Sequence, residues 1–431
     1  MWYDKNTKFI RNGMIKMKRT DMMELKRRLK KETCTITKMC GCYVDANKNK
    51  VVELNETFLN LDDEEFYKYL DIAKKTLSGT VGNNLLELDF PLEEEVVGGR
   101  QQFFMALRES NLSNADLLER LYDLIIEHYQ YVGNYLILIF HDTYDIMSRT
   151  NDNIKLDESE EVYDYLLCAI CPVALSKPGL GYRQDENRIG ARIRDWVVGT
   201  PDVGFLFPAF LDRSADIHKT DYFIRDAKDS HAEFIEGVLG CGARLTATEQ
   251  KQTFHAIVKH ALGPDEEESD TILLNIQDSL NNRLDEEDED NEENPMILTA
   301  ETVAQVLEES GVKKEIANVI EQTCKEEFGE ELPPVKNLID AKAIQDNEKI
   351  KHEQELVKEV TQLRSQIIEQ KQLLGDEEEF KNDVKTYDVV LRVKPEKADQ
   401  IKSQIIGDQK YLIIPMEENE HVNVNGVNTQ V

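Results

Sequence analysis

The chain has 431 residues, 40% of them hydrophobic and 32% charged, with a formal net charge of −32. That length points to two or three domains, and that apolar content is enough to fill their cores, which excludes a disordered or low-complexity chain. The longest strongly apolar run, residues 135–140, is far short of the ~20 that a membrane-crossing helix needs, and no continuous apolar stretch follows the basic N-terminus, so neither a membrane partner nor a secretory signal is expected.

Residues 1–31 carry eleven Lys/Arg against three acids, a net +8 that leaves −40 for residues 32–431. A basic arm on an acidic body can touch nucleic acid weakly, and Lys26, Arg27, Arg28, Lys30 and Lys31 are its candidate contacts. The stronger expectation is a helix over 21–31 that docks on its own acidic body, because the net charge of the whole repels polyanions. Met17 also reads as a natural start. Residues 36–44 and 50–54 predict a β-hairpin. Asp62-x-x-Glu65 caps a helix running to Leu77, and Ser113-x-x-Asp116 opens another, whose Leu117, Leu118, Leu121, Leu124 and Ile125 form a 3.6-residue stripe.

Residues 135–141 and 165–173 are the strongest strand candidates, followed by 188–197 and 204–210, with 222–225 as an added edge. Ser230-x-x-Glu233 caps a helix ending at Gly240. Thr246-x-x-Glu249 caps the next, with Phe254, Ile257, Val258, Ala261 and Leu262 on one face and Gly263-Pro264 closing it. Residues 265–293 hold 14 acids and one arginine. Within them 272–284 suits a short helix, and the acidic run 285–294 reads as a mobile linker.

Residues 299–309 and 313–328 predict a helical pair turning at Ser310-Gly311, and Pro333-Pro334 breaks the chain. A polar helix follows over 341–374. Its Leu356, Val360, Leu363, Ile367 and Leu374 fit a/d spacing with Gln370 interrupting, too short a run for a coiled coil, so the helix is expected to pack on its own protein. The tail returns to β at 387–393, 411–415 and 421–424, with a helix over 396–406. The expected class is α+β: a mixed, largely antiparallel sheet with flanking helices, then a helical segment and a small C-terminal β segment. The expected divisions are 1–31 (basic arm), 32–264 (α+β core), 265–295 (acidic linker with a short helix), 296–385 (helical region) and 386–431 (β segment).

The sharpest chemical clue is residues 177–231, which hold six of the 18 arginines and balance nine Lys/Arg against nine acids. As one strand, 188–197 projects Arg188, Arg192 and Arg194 from one face, with Ile189, Ile193 and Val197 in the core behind. A row of guanidinium groups suits phosphate or carboxylate. If partly buried, these cations need internal carboxylates, with Asp202, Asp212 and Asp216 nearest, or an external anion, and internal pairing is the commoner arrangement. Arg213 and His218, in a polar loop after an apolar strand, and Arg100, in a Gly98-Gly99 turn shaped like an anion nest, complete the candidate anion-binding set. The plainer reading of the turn is a turn, and of the loop a set of salt-bridge partners.

Catalytic and cofactor motifs fail. Residues 79–84 lack the Gly-Lys-Ser/Thr of a phosphate-binding loop, Gly179-Leu180-Gly181 lacks the third glycine of a dinucleotide site, and no G-x-S-x-G elbow occurs. Seven scattered cysteines, an odd number, read as reduced thiols of a cytoplasmic protein. Cys168 and Cys171 face opposite sides of a strand, Cys40-Gly41-Cys42 has no second pair, and His255 and His260 miss the helical zinc spacing, so no metal or cofactor is expected.

Asn83-Asn84-Leu85-Leu86-Glu87-Leu88, Gly98-Gly99-Arg100-Gln101-Gln102-Phe103, Ser176-Lys177-Pro178-Gly179-Leu180-Gly181-Tyr182, residues 156–163 and 188–210, and Glu236-Gly237-Val238-Leu239-Gly240-Cys241-Gly242 resemble the signature segments of one bacterial family of Gram-positive anaerobes, domain of unknown function 4317. The resemblance runs from Met17 to near the end of the chain. It implies an intracellular bacterial protein and supplies no activity and no catalytic residues. The element order is also similar to that of bacterial nucleoid-associated proteins of the 37-kilodalton family, a likeness of pattern without a shared motif.

These readings favour a non-enzymatic binding protein, nucleoid- or nucleic-acid-associated, with nucleic acid or another protein as partner and the oligomeric state open. One alternative is an enzyme or sensor holding a phosphorylated or carboxylated small molecule at the arginine face. Another is an acidic nucleic-acid mimic in stress or defence.

Overall fold

The computed structural model describes residues 16–149, 155–286, 296–329, 332–373, 401–406, 409–414, 421–424 and 427–430. It divides into two compact units, Met1–Asn347 and Glu348–Val431.

The described strands of the first unit are β1 (Lys38–Val44), β2 (Lys50–Thr57), β3 (Leu85–Asp89), β4 (Asn134–Arg149), β5 (Lys155–Leu175), β6 (Leu180–Arg183), β7 (Arg188–Ala191), β8 (Trp196–Val198), β9 (Val203–Phe207), β10 (Ala209–Leu211), β11 (Ser214–Asp216) and β12 (Lys219–Ile224). Eight form one sheet in the order β2-β1-β4-β5-β9-β12-β3, with β8 on the end of β5, and every pairing is antiparallel. β6–β7 and β10–β11 are separate hairpins.

Side chains alternate across each strand, and on the inner strands both sides are dry, whereas β2 and β8 are largely exposed. Cys40, Cys42, Ile137, Ile139, Leu166, Cys168, Phe205 and Tyr222 enter one core. Met39, Leu136, Leu138, Phe140, Leu167, Leu206 and Phe223 enter the other. The first core is closed by α3 (Arg100–Glu109), α4 (Ala115–His128) and a helical turn, α5 (Ala232–Phe234), that runs on as a π-turn over Ile235–Leu239. The second is closed by α1 (Arg19–Arg28) and α2 (Asp63–Thr76). A third core joins α6 (Ala247–Leu262), α7 (Glu266–Glu286), α8 (Ala300–Glu309), α9 (Lys314–Phe328) and α10 (Val335–Leu338) through Phe254, Val258, Ile276, Leu280, Leu307 and Ile320.

The α+β class and the antiparallel sheet stand as read from the sequence. Local signals hold where a cap is chemically complete. Thr246 Oγ1 accepts from the Glu249 amide at 2.9 Å while Glu249 accepts from the Thr246 amide at 2.8 Å, and Gly263 takes the positive φ that ends α6. Other caps move by a residue. Asn114, not Ser113, caps α4 by accepting from the Asp116 and Leu117 amides. Glu249 takes the Ser230 amide, and His231 becomes the N-cap of α5.

Three expectations fail for tertiary reasons. Residues 219–224 are an inner strand between β9 and β3, and β3 is the edge. Residues 188–197 do not form one strand: β7 stops at Ala191 and β8 begins at Trp196. The short helix expected over 272–284 is the 21-residue α7, held by the third core. The acidic run beyond it lies, from residue 287 to 295, outside the described residues.

In the second unit the long helix α11 (Ala341–Leu373), which begins in the first, continues as expected, and Leu356, Val360, Leu363 and Ile367 are exposed. β13 (Lys402–Ile406) pairs with β14 (Gln409–Ile413), and β15 (His421–Val424) with β16 (Val427–Gln430). Residues 402–406, the end of an expected helix, are therefore strand; residues 387–393 lie outside the described residues.

Phe104 is the keystone of the first core. It is fully buried, with ring centroids 5.2 Å from Phe205, 5.4 Å from Phe103 and 5.7 Å from Phe207. Phe104→Ala should cost about 3–5 kcal/mol in chemical denaturation, the usual loss for an aromatic cavity. A loss under about 1 kcal/mol would mean that this core collapses onto the gap.

Candidate functional site

The β6–β7 hairpin carries the chemistry that the arginine-rich stretch promised, in a different geometry. Its register sets Leu180 against Ala191, Gly181 against Gly190, Tyr182 against Ile189 and Arg183 against Arg188. Cross-strand partners share a face, so Leu180, Tyr182, Ile189 and Ala191 lie on one side and Arg183 and Arg188 on the other. The two glycines leave room for the guanidinium groups: a Cβ on Gly190 would come within 2.9 Å of Arg188 Nη1 and 3.3 Å of Arg183 Nε. A four-residue loop closes the ribbon. Its Asn187 has φ of 43° and accepts from the Tyr182 hydroxyl at 2.7 Å.

Both faces of this ribbon are wet. Leu180 is 77% exposed, Tyr182 62%, Ile189 63%, and the nearby Ile193 73%. The core expected behind the arginines is therefore absent; Ile189, Ile193 and Val197 are surface residues. The alternation predicts a strand over 188–197, but only Arg188–Ala191 and the start of β8 at Trp196 are strand, and alternation is equally produced by a ribbon with one apolar and one basic face in solvent.

The charge partners also differ from those expected. Glu186 in the loop pairs with Arg188 and lies 3.0 Å from Arg183. Arg194 donates to the Ser176 carbonyl at 2.7 Å. Arg192 is exposed and makes no side-chain hydrogen bond or ion pair among the described residues. The carboxylates predicted as partners are engaged elsewhere: Asp202 with Arg225 at 2.6 Å and the Tyr129 hydroxyl at 2.7 Å, Asp212 with Lys18, and Asp216 with the His218 amide.

The other candidates do not join this face. Arg213 reaches Glu24 of α1 at 3.1 Å. His218 Nδ1 lies 2.8 Å from Glu95. The anion nest at Gly98–Arg100 is filled from within the chain, because Glu94 accepts the Arg100 amide at 2.5 Å while the Arg100 guanidinium donates to the Gly237 carbonyl. An intramolecular carboxylate already satisfies that helix N-terminus.

The basic N-terminal helix docks on its own body. Met22, Leu25 and Leu29 are buried in the second core. Arg28 stacks over the Tyr144 ring at 3.8 Å beside Asp142, and Lys31 pairs with Asp63. Lys26, Arg27 and Lys30 have no side-chain partner among the described residues. Deleting residues 1–31 would uncover the core, so the arm's cations are properly tested by substitution.

Two buried polar groups of residues escaped the sequence reading, because their members are distant in sequence. In one, His141 lies between Thr37, 2.9 Å from Nδ1, and Asp164, 2.7 Å from Nε2 but off the hydrogen-bonding line. Hydroxyl, imidazole and carboxylate are the parts of a nucleophile triad. Here the imidazole is buried in the sheet, and neither described cavity is lined by Thr37 or His141, so the group ties β1 to β4 and β5. In the other, Glu87 accepts from the Met17 amide at 2.6 Å and pairs with Lys219, and the buried Asp21 accepts from the Lys18 and Asp212 amides. Close by, Asp221 accepts from the Phe210 amide at 3.0 Å through one oxygen and leaves the other unsatisfied.

Burial raises the Asp221 carboxyl well above the ordinary range. The folded chain keeps that proton at pH values where the unfolded chain has lost it, so Asp221 subtracts stability as pH rises above about 4, until the raised folded-state pKa is passed. Asp221→Asn should therefore raise the melting temperature more at pH 8 than at pH 5. An equal change at both would show that the carboxyl titrates normally.

Neither described cavity is an anion pocket. The larger, about 360 Å³, is lined by Glu56, Asp62 and Glu65, whose charge repels phosphate. The smaller, about 10 Å³ beside Asp221, holds no more than one water. Among the described residues no His/Cys/Asp/Glu group has metal-binding geometry, and no helix is long and apolar enough to cross a membrane.

The curated proteins gave no match to the chain. The profile of one family, described as a domain of unknown function, matches residues 17–427, which hold the three cores, the hairpin and the long helix. The chain belongs to that family, DUF4317.

Proposed function

We propose that the protein is a non-catalytic binding protein of the bacterial cytoplasm that holds a polyanion, nucleic acid foremost, on the β6–β7 hairpin. One observation carries this reading. The ribbon presents Arg188 and Arg192, the latter without a side-chain partner among the described residues, to solvent beside the half-buried Arg183, and residues 177–194 hold five Lys/Arg against two acids in a chain of net charge −32. A two-stranded ribbon has the width of a major groove, and guanidinium groups contact both phosphates and guanine edges. Apolar and aromatic side chains on the other face add contact area without adding charge. The acidic body beyond a Debye length neither helps nor is fully felt, so binding is weak and steep in salt. The cytoplasmic placement is supported by seven free cysteines, six of them buried. The likeness of element order to nucleoid-associated proteins favours the same class of partner. For the small-molecule alternative, neither described cavity is lined by Arg183, Arg188, Arg192 or Arg194.

The test is fluorescence anisotropy with labelled duplex and single-stranded DNA across a salt series. Wild type should bind at low salt. Replacing Arg183, Arg188 and Arg192 together by Gln should weaken binding and flatten the slope of log affinity against log salt by about 0.9 per lost phosphate contact. Replacing Lys26, Arg27 and Lys30 measures the arm's share. No binding at low salt, or affinity indifferent to the hairpin change, would sink the reading. In the same preparations Arg192→Ala should leave thermal stability within ~0.5 kcal/mol of wild type, as for a solvated surface cation; a larger loss would mean an internal partner.

A further inference from the structure

We infer that two copies of this chain associate through α11 as a parallel, in-register two-stranded coiled coil over residues 356–367. Four apolar side chains on this helix, Leu356, Val360, Leu363 and Ile367, remain 47–52% exposed. Their spacing of four, three and four residues keeps them in one seam along a helix wound at 3.5 residues per turn.

The residue types at these positions choose the partner. Leu356 and Leu363 occupy d positions, Val360 and Ile367 occupy a positions. β-Branched a residues with leucine at d favour two parallel strands over three or four. The flanking charges choose the register. Glu359 falls at g and Arg364 at the following e, and in a parallel in-register pair each Glu359 meets Arg364 of the second copy, twice by symmetry. The two are five residues apart, too far round the helix to pair within one chain. Both are exposed, and neither has a partner among the described residues.

The seam has defined ends. The register puts Glu353 at the preceding a position and Gln370 at the following d position, so the apolar contact is short and the dimer forms and dissociates with concentration. Upstream, Asp340 accepts from the Lys342 and Ala343 amides and starts the helix. This inference is independent of the nucleic-acid reading, and either can fail alone.

Sedimentation velocity on the full chain tests it. Wild type should move with concentration from 49.7 kDa toward twice that mass. Glu359→Arg or Arg364→Glu alone should hold it at the lower mass by setting like charges together, and the double exchange should restore the dimer. Leu363→Cys under a mild chemical oxidant should give a disulfide-linked dimer, because in-register parallel chains bring the two d positions together, whereas antiparallel chains set 363 against 360. A monomer at all concentrations, as when the chain's own C-terminal residues cover the seam, overturns the inference. So does a dimer indifferent to the charge exchange, or one that the cysteine does not trap.

Discussion

An antiparallel sheet commonly packs one face and wets the other. In this protein both faces of the inner strands β1, β4, β5, β9 and β12 are covered, while β2 and β8 stay largely exposed, and most of the remaining structure follows from that. With a pleat of period two, each inner strand must supply apolar residues at consecutive positions rather than alternate ones. β4 does so with Tyr135, Leu136, Ile137, Leu138, Ile139 and Phe140, all buried and sent by turns to the two cores. Helices must then exist on both sides: α3 and α4 on one, α1 and α2 on the other. The third, purely helical core carries no strand and needs only the 3.6-residue stripes of α6 to α9.

A sheet buried on both sides also traps polar groups, and these must be satisfied in place. Asp142 accepts from Tyr165 and Thr35, His141 sits between Thr37 and Asp164, and Asp202 takes Tyr129 and Arg225. Such contacts join segments up to 107 residues apart and make the arrangement of the layers specific. They also explain the basic N-terminal helix. Glu87, Asp142 and Asp63 draw residues 17–31 onto the body, where Asp21 also accepts from the Asp212 amide, so the positive segment spends part of its charge internally. Asp221 is the cost of this arrangement, a carboxyl buried with one oxygen unsatisfied.

What the cores leave over is what can act outward. The β6–β7 ribbon contributes nothing to any of the three cores, and its alternating residues divide into a basic and an apolar face, both in solvent. The exposed seam of α11 is the second such feature. In each case a pattern that normally builds an interior is presented to water.

The sequence by itself determined the class of fold, most strand and helix positions, the complete capping box at Thr246, the helical hairpin at Ser310-Gly311 and the absence of a metal- or nucleotide-binding motif. These rest on period, capping chemistry and turn residues within a few positions of one another. It also held the arginine ribbon as an alternating segment. Only the tertiary structure decided which side of that alternation was core, and the answer was neither. It decided that Arg188 pairs with Glu186 rather than with Asp202, Asp212 or Asp216, that Glu94 fills the turn at Arg100, and that residues 219–224 lie inside the sheet. Strand order and charge pairing depend on which distant segments meet, and no local period encodes that. For the same reason His141, Asp164 and Asp221 could not be singled out beforehand: a buried imidazole or carboxyl is identified by what surrounds it, and its surroundings come from the whole chain.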